Sequence, residues 1–240
     1  MIEQMISLAE TTSDEVCGLI VNDSLFIPCV NQSSSPSKDF LISANDFIQS
    51  EEIGPVTGVF HSHPSGFNRL SAHDRQVQVS LGLDFYLYCD GSVRKYEPRP
   101  HLLGRSYEHG ITDCYSMFRD AYHLAGWDMP DYGRDNGWWL RGENLYINNL
   151  PTQGFYQVSM ADVQPGDVII RQPFDGCDPC HAMIFLPDGR VLHHEMNGFL
   201  SRRDNMRPAY VKQTHSVWRH EQWSSLNFQG IYEDFIAKSL

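Results

Sequence analysis

The segment His61-Ser62-His63-Pro64 constrains the fold of this chain more than any other stretch. It follows a β-rich run at residues 56–60, and two imidazoles at alternate positions of an extended segment project to the same side. Pro64-Ser65-Gly66 then favours a turn, and Ser71 opens a segment of helical pattern with Asp74 at its third helical position. The spacing therefore predicts a strand, a turn and a helix that direct two imidazoles and one carboxylate toward a common point.

The residue types in this group are those of a zinc site. His61, His63 and Asp74 can occupy three corners of a tetrahedron, with the fourth left for water. Zinc with an open position lowers the pKa of its bound water to roughly 7 and polarises a carbonyl group, which is hydrolase chemistry. Ser71 and Asp74 alone also match a capping-box helix start, but capping does not account for the two histidines. The sequence therefore predicts a catalytic Zn²⁺ site.

A zinc hydrolase also needs a base. Glu15 is the candidate because it is an acidic residue directly before the apolar run Val16–Val21. The set Glu15-x-x-Gly18, His61-x-His63-Pro64 and Ser71-x-x-Asp74 resembles the JAMM/MPN+ (Mov34/PAD-1) metallopeptidase family over about residues 1–97. The resemblance implies zinc ligation by the two histidines and Asp74. It also implies that Glu15 is the general base and proton shuttle, that Ser71 helps to hold the oxyanion, and that amide or isopeptide bonds are cut.

The second half of the chain carries a candidate nucleophile, Cys114, at the start of a segment with apolar residues at helical spacing. A thiol at a helix N-terminus experiences the positive end of the helix dipole, so we expect a lowered pKa for Cys114. A buried structural cysteine is the alternative. His181 opens the apolar strand pattern at 182–186 and could act as base, since a thiolate and an imidazole oriented by a third polar group are the machinery of cysteine peptidases.

The third group depends on strand register. A three-residue turn at Pro187-Asp188-Gly189 places His193 on the same face as His181, whereas a two-residue turn selects His194. Periodicity does not decide between them.

A resemblance bears on the choice. Asp113-Cys114, Pro165-Gly166-Asp167 before a strand, His181 and His193 are similar to the NlpC/P60 cysteine peptidase pattern over about residues 105–200. The resemblance implies that Cys114 is the nucleophile, that His181 is the base and that His193 orients it. Tyr115-Ser116 replaces the family's usual Ser-Gly after the nucleophile.

The predicted fold class is α+β or mixed α/β in two domains. The pattern predicts a helix near residues 2–9, strands at 16–21, 25–30 and 56–60, helices from Ser43 and Ser71, and a hairpin turning at Asp90-Gly91. We expect domain one at 1–97, a proline-containing linker at 98–109 and domain two at 110–240. The two resemblances imply an MPN (cytidine-deaminase-like) sheet-and-helix domain followed by a papain-like NlpC/P60 domain.

Composition excludes several function classes. Lys and Arg total 18 against 30 Asp and Glu, and a formal charge of −12 disfavours non-specific nucleic-acid binding. No apolar run approaches the ~18 residues of a membrane span, and the N-terminus lacks the pattern of a signal peptide. The six irregularly spaced cysteines suggest reduced thiols. We therefore expect synthesis in the cytoplasm, no membrane span and no nucleic-acid partner.

The order of the two motifs is itself informative. A JAMM-like half followed by an NlpC/P60-like half resembles the tail-tip assembly proteins of long-tailed phages. The resemblance implies synthesis in the host cytoplasm, a final place at the virion tail tip, and peptidoglycan stem peptides and other tail-tip proteins as partners. Three functions stay open: a bifunctional peptidase, a morphogenetic protein whose peptidase folds serve docking or partner processing, and a host cell-wall hydrolase. The complete motifs favour the first.

Overall fold

The boundary between the two folding units of this chain follows the segment Glu97-Pro98-Arg99-Pro100. In the computed structural model, which describes residues 1–196 and 198–240, Met1–Pro100 forms one unit and His101–Ser239 the other. Residues 101–109, which we expected in a linker, are part of the second unit. Leu102 is fully buried there, and its backbone N–H donates to Asp234 at 2.7 Å. The linker prediction fails because this segment packs against the last helix of the chain, which contains Asp234, and does not cross open solvent.

The first unit is built from strands and helices that alternate along the chain. In chain order they are α1 (Ile2–Ala9), β1 (Cys17–Val21), β2 (Leu25–Cys29), α2 (Ala44–Ile53), β3 (Val56–Ser62), α3 (Ala72–Leu81), β4 (Asp84–Cys89) and β5 (Ser92–Tyr96). The strands pair in the order β2-β1-β3-β4-β5, with β3 and β4 parallel and the other neighbours antiparallel. The elements predicted from periodicity and turn chemistry are confirmed within one or two residues at each end.

Both faces of this sheet are covered. Val59 and Phe60 are successive residues of β3, so they point to opposite faces. Phe60 packs with Met5 of α1, whereas Val59 packs in a cluster that Phe47 of α2 and Val77 of α3 complete. The central strands are therefore held between α1 on one side and the α2–α3 layer on the other, which makes the end of β3 a rigid support for the histidines that follow Phe60.

The second unit begins with a long buried helix and continues into an antiparallel sheet. Its helices and strands are α4 (Cys114–Ala125), α5 (Leu145–Asn149), β6 (Phe155–Val158), β7 (Val168–Arg171), β8 (His181–Phe185), β9 (Arg190–His193), β10 (Arg202–Asn205), α6 (Pro208–Gln213), β11 (Thr214–His220) and α7 (Gln229–Ala237), with short 3₁₀ turns at Trp138–Leu140, Pro151–Gln153, Met160–Asp162 and Trp223–Ser225. The strand order is β10-β9-β8-β7-β11-β6.

The helix α4 is placed by its two ends. The Asp113 side chain accepts a hydrogen bond from the Ser116 backbone and caps the N-terminus, and Gly126 at φ +108° ends the helix in a conformation that favours glycine. Met117 and Phe118 pack in one core cluster with Ile184 of β8. The first residue of α4, Cys114, is thereby held beside the start of the central strand β8. Within the described residues, none of the helices has the length and hydropathy to cross a membrane.

Candidate functional sites

The three predicted zinc ligands of the first unit converge. His61 lies near the end of β3, His63 follows its last residue, and Asp74 lies in the first turn of α3. His61 Nε2 is 3.2 Å from His63 Nε2, and Asp74 Oδ2 is 3.4 Å from the first of these nitrogens and 3.5 Å from the second. In a tetrahedral zinc site with bonds of about 2.0–2.1 Å, neighbouring ligand atoms are separated by ~3.3 Å. The donor set therefore has the dimensions that one Zn²⁺ ion requires.

Neighbouring groups fix the orientation and the ionisation of the predicted ligands. His63 Nδ1 lies 2.7 Å from the carbonyl oxygen of Phe67, so that nitrogen carries the proton and Nε2 presents its lone pair to the site. The ring of Phe40 stacks on His61 with centroids 4.6 Å apart. Burial alone would raise the pKa of Asp74, but His61 and His63 hold it well below its ordinary value. The carboxylate is therefore ionised, as a metal ligand must be.

Glu15 stands beside these ligands at the entrance to β1. It is buried, and it lines one cavity of about 580 Å³ together with His63 and Asp74. Its backbone is fixed on both sides, since its N–H donates to Pro36 at 2.7 Å and its carbonyl accepts from the Asn31 side chain at 2.8 Å. Burial raises the pKa of Glu15 to about 7. A carboxylate with that pKa is suited to accept and return a proton near neutral pH.

Ser71 has the helix-capping contacts that the sequence also allowed. Its hydroxyl accepts from the Asp74 N–H at 3.1 Å, and its own N–H donates to Asp74 Oδ2 at 2.8 Å. The same carboxylate oxygen faces His61 and His63. The capping contacts with Ser71 therefore also fix the position of the Asp74 carboxylate, which is the predicted ligand. The part of Ser71 in holding an oxyanion stays a prediction.

In the second unit Cys114 and His181 line one cavity of about 180 Å³. The Cys114 sulfur lies 3.7 Å from the carbonyl oxygen of Cys180, the residue that precedes His181. The expected lowering of the thiol pKa is not what the structure shows. Burial raises the pKa of Cys114 to about 11, and the adjacent Asp113 carboxylate acts in the same direction. Desolvation of a thiolate at this largely buried position outweighs the favourable end of the helix dipole.

The choice between His193 and His194 is decided by the β8–β9 register. Met183 pairs with His193, so His181 and His193 lie on one face of the sheet. His181 Nε2 is 3.2 Å from His193 Nδ1. His194 instead packs its ring edge-on to Tyr107, with centroids 5.2 Å apart. The three-residue turn is therefore the one that forms, and His193 is the neighbour of the predicted base.

His193, which contacts His181, also lies near two carboxylates. Its Nδ1 lies 4.0 Å from Glu195, and its Nε2 lies 3.7 Å from Asp204. His181, His193 and Glu195 bring three ligand-type atoms within 4.8 Å of one another. Glu195, however, is paired with Arg171 at 3.2 Å and with Arg202 at 2.8 Å. Two guanidinium groups disfavour a metal cation at this position, so the cluster is better suited to orienting imidazoles.

Two tyrosines beside Cys114 lie outside both sequence motifs. Tyr107 and Tyr146 both line the cavity of Cys114, and the hydroxyl oxygen of Tyr146 is 3.3 Å from the Cys114 sulfur. Tyr146 lies 32 residues further along the chain, in a segment rich in Gly and Asn. No short motif marks such a contact.

Comparison of the sequence with known proteins identifies the family of this chain. The NlpC/P60 family model matches residues 104–219, a range that includes Cys114, His181 and His193. Tail tip assembly protein K of Escherichia phage lambda is 46% identical over 198 residues, which cover 82% of this chain and 98% of that protein. The chain belongs to the tail tip assembly protein K family. Its counterpart from Escherichia phage N15 is 29% identical over 219 residues, covering 86% of this chain and 88% of that one.

The family match of this protein K homologue covers most of the second unit. The NlpC/P60 match shows a cysteine peptidase-like domain there, within a mixed α/β protein of two sheets. The zinc-type ligands of the first unit lie outside the matched range. A crystal structure of an NlpC/P60 family protein from Bacillus cereus aligns with 89% of this chain and 66% of that one at 14% identity and a TM-score of 0.36, and a likeness at that level supports no conclusion.

Proposed function

We propose that the second unit of this protein K homologue is a cysteine endopeptidase that cuts the stem peptides of peptidoglycan. The observation that carries the proposal is the shared cavity of Cys114 and His181, together with the 3.2 Å contact from His181 Nε2 to His193 Nδ1. That contact leaves Nδ1 of His181 as the ring nitrogen available to the thiol. A shared cavity for Cys114 and His181, with His193 in contact with His181, supports the roles of nucleophile, base and orienting group in covalent peptide hydrolysis.

The chemistry follows from these positions. His181 takes the proton of Cys114, and the sulfur attacks the carbonyl carbon of the scissile amide. The backbone N–H of Cys114 lies in the first turn of α4, where helix amides have no intrahelical acceptor, so it can stabilise the developing oxyanion. His181 then protonates the leaving amine, and a water molecule hydrolyses the thioester. His193 keeps the imidazole of His181 in the required tautomer and orientation.

The test is digestion of purified peptidoglycan followed by mass analysis of the released muropeptides. We expect cleavage at the bond following D-glutamate, unaffected by a metal chelator, and a loss of about 10³-fold or more in Cys114→Ala and in His181→Ala. The double variant His61→Ala, His63→Ala serves as the matched control and should keep this cleavage. Release of muropeptides that persists in Cys114→Ala and disappears with a chelator would assign wall cleavage to the first unit and overturn the proposal.

A second activity is favoured by the dimensions of the ligand set in the first unit. We propose that His61, His63 and Asp74 hold one Zn²⁺, with Glu15 as general base and Ser71 near the oxyanion, for hydrolysis of an amide or isopeptide bond. The bound ion would supply Lewis-acid polarisation and a water of lowered pKa. Glu15 would receive the proton of that water, and its fixed backbone would hold the carboxylate toward the ligands. The 580 Å³ cavity leaves room for a peptide segment.

The cellular role follows from the relatives. Both are named for tail tip assembly. We therefore propose that the chain is made in the host cytoplasm, joins the virion tail tip with other tail-tip proteins, and uses the second unit to open the cell wall. A purely morphogenetic role predicts that virions carrying Cys114→Ala assemble and infect normally. A defect in penetration of the wall, with normal particle yield, supports the enzymatic role.

A further inference from the structure

The contact between Tyr146 and Cys114 stands apart from the base and its orienting group. The phenol oxygen lies 3.3 Å from the sulfur, and either atom can be the donor when the cysteine is a thiol. Only 5% of Tyr146 and 8% of Cys114 are exposed. A thiolate carries no proton, so in that state the phenol must donate. The contact is therefore stronger in the ionised state of Cys114 than in the neutral state.

Tyr146 is held in this position by its own segment. The backbone N–H of Asn144 donates to Asp178 at 3.1 Å, which ties the start of α5 to the loop before β8. The Tyr146 ring packs against Trp138, with centroids 6.1 Å apart, and against Tyr115 at the same centroid separation. Packing against Trp138 and Tyr115 thus holds the Tyr146 ring in place, with its hydroxyl beside the Cys114 sulfur.

Ionisable side chains from several elements line the cavity around the Cys114 sulfur. They come from the segment before α4, from α4 and its N-cap, from the 131–150 region, from β7, from β8 with its preceding loop and from the segment after β9: Tyr107, His109, Asp113, Tyr115, Arg134, Tyr146, Arg171, Cys180, His181, His194 and Glu195. Asp113 opposes thiolate formation, but its carboxylate is paired with Arg134 at 2.8 Å. Burial raises the pKa of Tyr146 well above its ordinary value, so its hydroxyl remains a donor throughout the neutral range. Tyr146 is the member of this group with a hydroxyl in hydrogen-bond reach of the sulfur.

We infer that Tyr146 is a further catalytic residue of the cysteine peptidase site, whose hydroxyl donates a hydrogen bond to the Cys114 thiolate. This inference rests on the proposed function. Its chemical basis is that the largely buried sulfur of Cys114 has lost most of the water that would otherwise stabilise a negative charge, and the phenol hydroxyl takes the place of a water molecule. Tyr146 thereby lowers the free energy needed to transfer the proton from Cys114 to His181, before substrate is attacked.

The experiment titrates Cys114 itself. The full-length protein is treated with iodoacetamide across a pH series, and mass spectrometry of the Cys114 peptide separates its alkylation from that of the five other cysteines. We expect the midpoint of the rate profile to rise by about one pH unit or more in Tyr146→Phe, since a hydrogen bond to a charged group has that scale. Peptidoglycan cleavage at neutral pH should fall about tenfold. Tyr122→Phe is the matched control, because it removes a buried hydroxyl of α4 that donates to Gly166 at 2.7 Å.

A second substitution keeps the test independent of folding. Introduction of 3-fluorotyrosine at position 146 retains the ring and the hydroxyl but makes the phenol a stronger donor, so the midpoint should move downward. An unchanged midpoint in both proteins would overturn the inference and leave Tyr146 as packing. The proposed peptidase fails on a different observation: if the wild-type protein cuts no stem peptide while Tyr146→Phe still shifts the Cys114 midpoint, the hydrogen bond is real and the substrate assignment is wrong.

Discussion

His181 Nε2 lies 3.2 Å from His193 Nδ1, and this contact joins the proposed base to a buried polar chain. Burial lowers the pKa of His181 well below its ordinary value and lowers that of His193 to about 4. Both rings are therefore neutral at physiological pH, and one must donate to the other. His193 Nε2 lies 3.7 Å from Asp204. When the His193 proton is on Nε2, toward Asp204, its Nδ1 accepts a hydrogen bond from His181 Nε2, and this selects the His181 tautomer whose Nδ1 is free to accept a proton.

The first prediction concerns this orienting contact. His193→Ala should lower kcat for stem-peptide cleavage by about 10- to 100-fold, less than the roughly 10²- to 10⁴-fold contributed by a general base, because His181 remains present but less well oriented. His194→Ala is the control and should cost no more than a few-fold, since its ring contacts Tyr107 instead. Steady-state kinetics on a defined stem peptide measures both. A larger loss in His194→Ala than in His193→Ala would contradict the assignment.

The second prediction concerns metal content. The chain should bind about one zinc ion, and His61→Ala combined with His63→Ala should abolish binding, because two of three protein ligands are removed. Glu15→Gln should retain the ion, since Glu15 is expected to serve the water. His73→Ala is a matched control, because His73 is a cavity-lining neighbour of Asp74 outside the ligand group. Elemental analysis after dialysis gives the zinc content, and an undiminished value in the double variant would exclude this site.

The first unit was predictable because its determinants are local. The strand Val56–Ser62, the turn after it and the helix Ala72–Leu81 with its cap at Ser71 follow one another directly along the chain, and each obeys a rule of short range. The hairpin at Asp90-Gly91 forms with both residues at positive φ, 49° and 81°, as an Asp-Gly turn favours. The convergence of His61, His63 and Asp74 could therefore be expected from the sequence.

The second site depends on information that is not local. Two turn lengths were compatible with residues 186–190, and only the pairing of Met183 with His193 selects the histidine. The elevated pKa of Cys114 arises from burial by elements distant in the chain, which outweighs the helix dipole inferred from sequence. The contact of Tyr146 with Cys114 likewise requires a segment 32 residues away to fold back on the helix N-terminus. None of these three features can be predicted from sequence periodicity.

The third prediction concerns pH. The proposed base must be neutral to accept the thiol proton, and burial lowers the pKa of His181 well below its ordinary value. As pH falls, His181 should therefore stay neutral past 6.5 and become protonated only at more acidic pH, where activity is lost. We expect the acid limb of kcat/KM, which reports the free enzyme, to lie below pH 6.5. A limb at or above that value would show that His181 is more exposed to solvent than the structure has it.

The last prediction concerns stability of the second unit. The Asp113 carboxylate accepts from Ser116 at 2.9 Å, from Gly110 at 2.9 Å and from Arg134 at 2.8 Å. Burial alone would raise the pKa of Asp113, but these partners, Arg134 foremost, lower it. Asp113→Ala removes a helix cap and one partner of a buried pair, so we expect a loss of about 3 kcal/mol in the free energy of unfolding.

Asp113→Asn separates the two contributions, because asparagine is also a good N-cap but carries no charge. It should cost less than Asp113→Ala. The ionic part has a defined pH dependence: a carboxyl whose pKa is lowered by folding stabilises above its unfolded value of ~3.9 and loses that contribution as pH falls through the folded value. The stability difference between wild type and Asp113→Asn should therefore be largest at neutral pH and shrink below about pH 4.

All five tryptophans lie between residues 127 and 223, so tryptophan fluorescence in urea follows unfolding of the second unit alone. A difference that is the same at pH 7 and pH 3 would mean that the Asp113–Arg134 pair makes no net ionic contribution.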